Sequence, residues 1–297
     1  MKHAIDPKID CVFKALLGAE NNINLLIHFL NAVLDQDLVA PIDSVEILNP
    51  YNDKEVLDGK LSIVDVKARD SQGTFYQIEI QLSNYTHLTE RILYTWADIY
   101  SNQLQSGEQY HQLRPTYSIW LLAHNLIKGD NDYIHTFKIR DNKGRCLNQH
   151  CGIWLLELGK FNAQQIETEQ QRWLRFFKDG DHLNDEGLPN WMTTDEMRQA
   201  MSTLRQFSEK ERDYWAYQAR QDFLRQQGTM EYELDEAQKR EQEALTQKQA
   251  ALAEKQTALA EKQSALAEKQ SALAEKQSAL AELERLKALL AKYNLDA

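Results

Sequence analysis

Asp65, Glu79 and Gln81 lie on two short runs that alternate apolar and polar residues, the two-residue period of half-buried β-strands. In residues 61–68, Val64, Val66 and Ala68 alternate with Ile63, Asp65 and Lys67; in residues 74–82, Tyr76, Ile78, Ile80 and Leu82 alternate with Gln77, Glu79 and Gln81. Asp70, Ser71, Gln72 and Gly73 between them supply turn chemistry, because Asp bonds its own backbone and Gly tolerates positive φ. A hairpin that pairs Val66 with Ile78, Val64 with Ile80 and Ala68 with Tyr76 has one continuous apolar face, and the same register sets Asp65 against Glu79. Opposed residues have Cβ atoms ~5 Å apart, and like charges there weaken a sheet unless something compensates. A hard divalent cation is the simplest compensator: Mg²⁺ takes one or two carboxylates and completes its octahedron with water and phosphate oxygens. The spacing does not separate Mg²⁺ from Mn²⁺. Gln81 projects to the same face as Glu79 and can position a water without carrying charge. The competing reading is a solvated hairpin face on which Lys67 neutralises Glu79 diagonally.

The elements needed to position these residues can be read along the chain. Asp6 reads as an N-cap and Pro7 as the first residue of a helix that carries Asp10 near its positive end. Residues 22–34 read as an amphipathic helix, 43–48 as a strand and 49–59 as a loop. After the hairpin, residues 85–104 have apolar side chains at helical spacing, with Leu88, Ile92, Trp96 and Ile99 on one row and Leu93, Ala97, Tyr100 and Leu104 beside it. Residues 117–124, 133–139 and 153–158 read as strands, which makes an α/β mixed sheet flanked by helices. Residues 165–177, 194–207 and 209–227 read as helices, with Gly228 closing the region; Trp173, Phe176 and Phe177 fit a core better than a base-stacking surface. The expected division is 1–160 core, 161–228 helical extension and 229–297 tail.

These residues, in this order, resemble the PD-(D/E)XK nuclease fold, and more narrowly the recombination-promoting nuclease (Rpn) family, whose members are also described as transposases. Asp6 to Gly18, with its acid, Phe13-Lys14 and Leu17-Gly18 elements, is similar to that family's first helix. Val64-Asp65-Val66 and Ile78-Glu79-Ile80-Gln81 resemble its two catalytic strands. Arg91, Tyr94, Tyr100, Gly107, Tyr110 and Pro115 fall along a segment similar to its next helix and strand. The resemblance covers roughly residues 4 to 225. It implies a PD-(D/E)XK nuclease-like sheet and metal-assisted hydrolysis of DNA phosphodiesters, with a role in recombination or transposition. Asp65 and Glu79 would hold the Mg²⁺, Gln81 would orient water, and Asp10 would add a carboxylate. Gln81 stands where the wider fold usually has Lys, as it commonly does in this family. The alternative is a catalytically degenerate nuclease-fold protein that binds DNA or assembles through its coiled coil.

A net charge of -11 and a pI of about 5.3 argue against a protein that coats DNA, but not against a local phosphate site. Lys128, Lys138, Arg140, Lys143 and Arg145 form the densest basic stretch, diluted by Asp130, Asp132 and Asp141. Three cysteines give no disulfide framework and suit a reducing cytoplasm; Cys146, His150 and Cys151 lack finger spacing for zinc. The sequence shows no apolar signal core, no membrane-spanning run and no phosphate-binding Gly loop.

The tail is built differently. Ala-Leu-Ala-Glu-Lys-Gln-Ser/Thr recurs every seven residues from Ala251, so that Leu245, Leu252, Leu259, Leu266, Leu273 and Leu280 keep strict register. With these leucines at d, the a positions are Gln249, Gln256, Gln263, Gln270 and Gln277, e is mostly Ala and g is Lys. The expectation is one helix of ~60 residues, either a homo-oligomeric coiled coil or a solvated single helix.

Overall fold

The computed structural model describes residues 1–49, 64–83, 86–183 and 187–294, so the loop expected at 49–59 and the first residues of the strand expected at 61–68 lie largely outside the described residues. Two compact units result, Met1–Gln226 and Gln227–Ala297.

The first unit is a six-stranded mixed sheet covered by helices on both faces. Its strands are β1 (Val45–Leu48), β2 (Val66–Asp70), β3 (Phe75–Gln81), β4 (Thr116–Leu122), β5 (Ile134–Phe137) and β6 (Cys151–Glu157), in spatial order β1-β2-β3-β4-β6-β5. β1, β2 and β3 run antiparallel, β3, β4 and β6 run parallel, and β5 returns antiparallel to β6. The turn between β2 and β3 follows the expected chemistry. Asp70 Oδ1 accepts from the N–H groups of Gln72 and Thr74, and Gly73 sits at φ 88°. The register is also the expected one, with Val66 opposite Ile78 and Ala68 opposite Tyr76.

One sheet face packs on α1 (Asp10–Leu17), α2 (Ile23–Leu34), α4 (Glu169–Asp179) and α5 (Asp195–Glu209). Trp173, Phe176 and Phe177 are wholly buried there, in the same apolar cluster as Ile78, Ile119 and Leu156, so the helices after residue 160 complete the core of the sheet. The other face is covered by α3 (Leu88–Ser101), whose Leu88 and Ile92 pack on Trp120, Leu122, Ile153 and Leu155.

Three details depart from the sequence reading. α1 begins at Asp10 with Ile9 at its N-cap, and Asp6 Oδ1 instead accepts from the N–H of Lys8. On α3 the row Leu93–Ala97 faces solvent, and Thr95 and Asp98 are buried in its place; Thr95 meets Gln77 of β3, and Asp98 accepts from Asn102 at the end of its own helix. Gly228 ends nothing: α6 runs unbroken from Glu211 to Asn294. A lone Gly inside a helix costs only about 1 kcal/mol, and the flanking Arg, Gln, Met and Glu residues are strong helix formers. A Cβ at residue 228 would meet no atom within 4 Å. Gly228→Ala should therefore stabilise the helix by roughly 1 kcal/mol, seen as greater and later-melting helicity by circular dichroism.

Among the described residues, no helix is long and apolar enough to cross a membrane.

Candidate active site

The β2–β3 ladder ends at Val66 opposite Ile78, and one residue earlier Asp65 is tied to β3 through side chains. Its Oδ2 accepts from the N–H of Ile80 at 3.1 Å, while Glu79 Oε1 accepts from the N–H of Asp65 at 3.3 Å. Each carboxylate thus clasps the backbone of the other's strand, and the opposition expected from the alternation brings both acids to one place.

Two cations reach the pair from helices on opposite sides of the sheet. From α1, Lys14 Nζ lies 3.2 Å from Asp65 Oδ1. Gly18 lets that helix approach, since a Cβ there would press on Val66 at 3.2 Å. From α3, Arg91 Nη2 lies 3.6 Å from Glu79 Oε2, and Nη1 donates to Gln81 Oε1 at 3.1 Å. Arg91 is steadied over the Trp120 ring, 5.5 Å from its centroid. Both cations remain 42% exposed at the side chain, so each keeps donors free for an incoming anion. Neither stood out from spacing alone, because each meets the acids only through the packing of its helix on the sheet.

Gln77, Glu79 and Gln81 are buried, which overturns the solvated-face reading: α3 lies over that face of β3. A buried hydrogen-bond chain fixes Glu79 from behind. Trp120 Nε1 donates to Ser118 Oγ, Ser118 donates to Gln77 Oε1, and Gln77 Nε2 donates to Glu79 Oε1 and to Thr95 Oγ1. Burial, reinforced by the neighbouring charge of Asp65, pushes the Glu79 carboxyl up to about 8, against the opposing pull of Arg91. Gln81 is held at both ends, accepting from Arg91 and donating to the carbonyl of Ser83.

Asp10 joins a different set of contacts. Its Oδ1 accepts from the N–H of Cys11 at 2.8 Å and pairs with Arg220 Nε of α6 at 2.9 Å. One turn further along α1, Lys14 makes the contact with the acids. Most of the basic stretch is also spent on other partners: Lys138 pairs with Asp37, Arg145 with Asp141, and Arg140 donates to the carbonyl of Gly144. Cys146 Sγ donates to the carbonyl of Asn148, and His150 Nδ1 meets the Tyr100 hydroxyl.

A family model for PD-(D/E)XK nuclease family transposases matches residues 7–237. The chain belongs to that family. The match spans both strands of the acid pair, the helices that supply Lys14 and Arg91, and the beginning of the long helix. No curated protein and no solved structure matches the chain. Membership ties the chain to nuclease and transposition-related chemistry on DNA, in a family that generally uses divalent metal ions.

Proposed function

We propose that this member of the PD-(D/E)XK nuclease family transposases is a divalent-metal-dependent DNA endonuclease acting in recombination or transposition. The observation that carries this reading is the clasped pair Asp65–Glu79 flanked by two half-exposed cations. The donor set is all oxygen, with two carboxylates from adjacent strands and an amide beside them, and this suits Mg²⁺ or Mn²⁺. Among the described residues no three His, Cys, Asp or Glu side chains are arranged so that they could hold a metal ion, so water and phosphate oxygens would complete the shell. Asp65 and Glu79 would hold the ion. When bound, it lowers the pKa of a coordinated water and polarises a phosphoryl oxygen.

The chain's own residues supply the remainder. Without an ion Lys14 pairs with Asp65 and Arg91 lies beside Glu79, and both can turn to the scissile phosphate, where a guanidinium offers paired donors. Arg91 supplies the positive charge that Gln81 lacks, and Gln81 keeps Arg91 aimed at the acids. The Trp120–Ser118–Gln77 chain prevents Glu79 from swinging away. Asp10 is assigned to anchoring α1 on α6 through Arg220. The three free cysteines accord with a reducing cytoplasm.

The test is nicking and linearisation of supercoiled plasmid with Mg²⁺, with Mn²⁺ and with EDTA. Cutting only with metal supports the endonuclease; DNA binding without cutting in either metal supports the degenerate binding protein instead. In the same assay Arg91→Ala should cut about 10–100-fold more slowly, the range for losing a group that orients metal ligands. Gln81→Lys placed in the Arg91→Ala chain should recover part of that loss. If Arg91→Ala cuts at the wild-type rate, Arg91 has no part in the chemistry.

A further inference from the structure

The second unit is a helix with a row of unpartnered leucines. Leu245, Leu252, Leu259, Leu266, Leu273 and Leu280 are each between 52% and 56% exposed, at intervals of seven residues. A polar helix that stands alone in water is ordinarily held by many oppositely charged pairs three or four residues apart. The repeats contain none. Between Ala251 and Ser278 each Glu is followed directly by Lys, and the next Lys–Glu interval is six residues. The periodicity instead builds a receptor for another helix. Leu259, Lys262, Gln263, Leu266, Ala267 and Gln270 line one shallow groove. Those six positions contain the four-residue hole that receives an a side chain and the four-residue hole that receives a d side chain.

We infer that the tails of two copies of this chain pair side by side, parallel and in register, along the Leu–Gln seam. Three features of the repeat select this arrangement. In a parallel pair each Lys at g faces an Ala at e of the partner helix, whereas an antiparallel pair sets the Lys rows, 248, 255, 262, 269 and 276, against each other. A parallel pair also stacks Gln on Gln at the a layers 249, 256, 263, 270 and 277, where the two amides bond each other. An antiparallel pair sets each Gln against Leu and leaves the amide without a partner. Finally, slippage by one heptad keeps the seam but strips partners from both ends, including Leu283 and Leu290, which flank the seam at g and are 50% and 63% exposed, so full overlap buries the most apolar surface. The two chains then enter the seam from the same end. This pairing does not depend on whether the chain cuts DNA.

The test uses the full chain. Light scattering coupled to size exclusion at tens of micromolar should give twice the 34.5 kDa chain mass. The triple variant Leu259→Gln, Leu266→Gln and Leu273→Gln should give the single-chain mass with its helicity retained. Orientation is read by disulfide trapping in a chain whose Cys11, Cys146 and Cys151 are replaced by alanine. Gln256→Cys alone and Gln277→Cys alone should each form a covalent dimer, and an equal mixture should give no 256–277 bond. A wild-type monomer at that concentration, an unchanged mass in the triple variant, or a dominant 256–277 bond would each overturn the proposal. A bond between Gln256→Cys and Gln263→Cys chains exceeding the self-linked products would overturn the register.

Discussion

Asp65→Ala and Glu79→Ala should each cut supercoiled plasmid at least about a hundredfold more slowly than the wild type, at every Mg²⁺ concentration. Loss of a residue that merely orients a metal ligand costs about 10–100-fold, and these two acids would be the ligands themselves. The two variants should differ in another respect. Asp65 fastens the strands through Ile80 N–H and receives Lys14, so its removal frees a backbone donor and a cation together. Glu79→Ala takes away one of the two acceptors of the buried Gln77 Nε2, which keeps Thr95, and the acceptor of the Asp65 N–H. Glu79→Gln is the cleaner variant, because it keeps the shape and an acceptor for Gln77 while removing the charge that would hold the ion. It should be as inactive as Glu79→Ala but fold as well as the wild type or better. If Glu79→Gln retained most of the cutting, the acid pair would not be the active site, whatever Asp65→Ala did.

The acid pair was legible in the sequence because alternation fixes which side chains share a face, and Asp70 and Gly73 fix where the chain turns. What alternation could not show is whether that face meets water. β3 reads as an amphipathic strand, yet Gln77 is wholly buried and Glu79 nearly so, because α3 returns across the sheet between β3 and β4. The polar residues of β3 then needed polar partners on the covering helix. Thr95 answers Gln77, and this is why a Thr occupies a position that apolar periodicity assigns to no core row. Lys14 and Arg91 stood among the residues of the family resemblance, but their place beside the acids was hidden for a related reason: each is one long cationic side chain on an amphipathic helix, and only tertiary packing brings it to the pair. The end of the nuclease unit was obscured differently. Gly228 has the local signature of a helix stop, but a Gly stops a helix only when the residues beyond it prefer to leave, and here they are helix formers over many turns. The helices read at 165–177 and 194–207 are present as Glu169–Asp179 and Asp195–Glu209. Trp173, Phe176 and Phe177, read as core residues from their helical spacing, are the side chains that bury the first of them against the sheet.

The metal-free protein should lose stability as the pH rises toward 8, and Glu79 should be the cause. Its carboxyl titrates near 8 in the folded chain and near 4.5 when unfolded. Below about pH 4.5 both states carry the proton, and the folded state bears no penalty at this group. Between those values the unfolded chain is ionised while the folded chain still holds its proton, so each rise in pH favours unfolding, by up to about 1.4 kcal/mol per pH unit for a single proton. Above 8 both states are ionised and the contribution is lost in full, the buried anion being opposed by Asp65 and only partly compensated by Arg91. All six tryptophans precede residue 227, so thermal unfolding followed by tryptophan fluorescence reads this unit separately from the tail. In EDTA the wild-type melting temperature should fall between pH 5.5 and 8.5, and Glu79→Gln should flatten much of that slope and melt higher than the wild type at pH 8.5. Mg²⁺ should act in the opposite sense. A cation held by the two carboxylates displaces the Glu79 proton, so its stabilising effect should grow with pH and vanish in Glu79→Gln. Parallel pH profiles for the wild type and Glu79→Gln would show that Glu79 does not hold the proton that burial assigns to it. A Mg²⁺ shift that persists in Glu79→Gln would place the ion elsewhere.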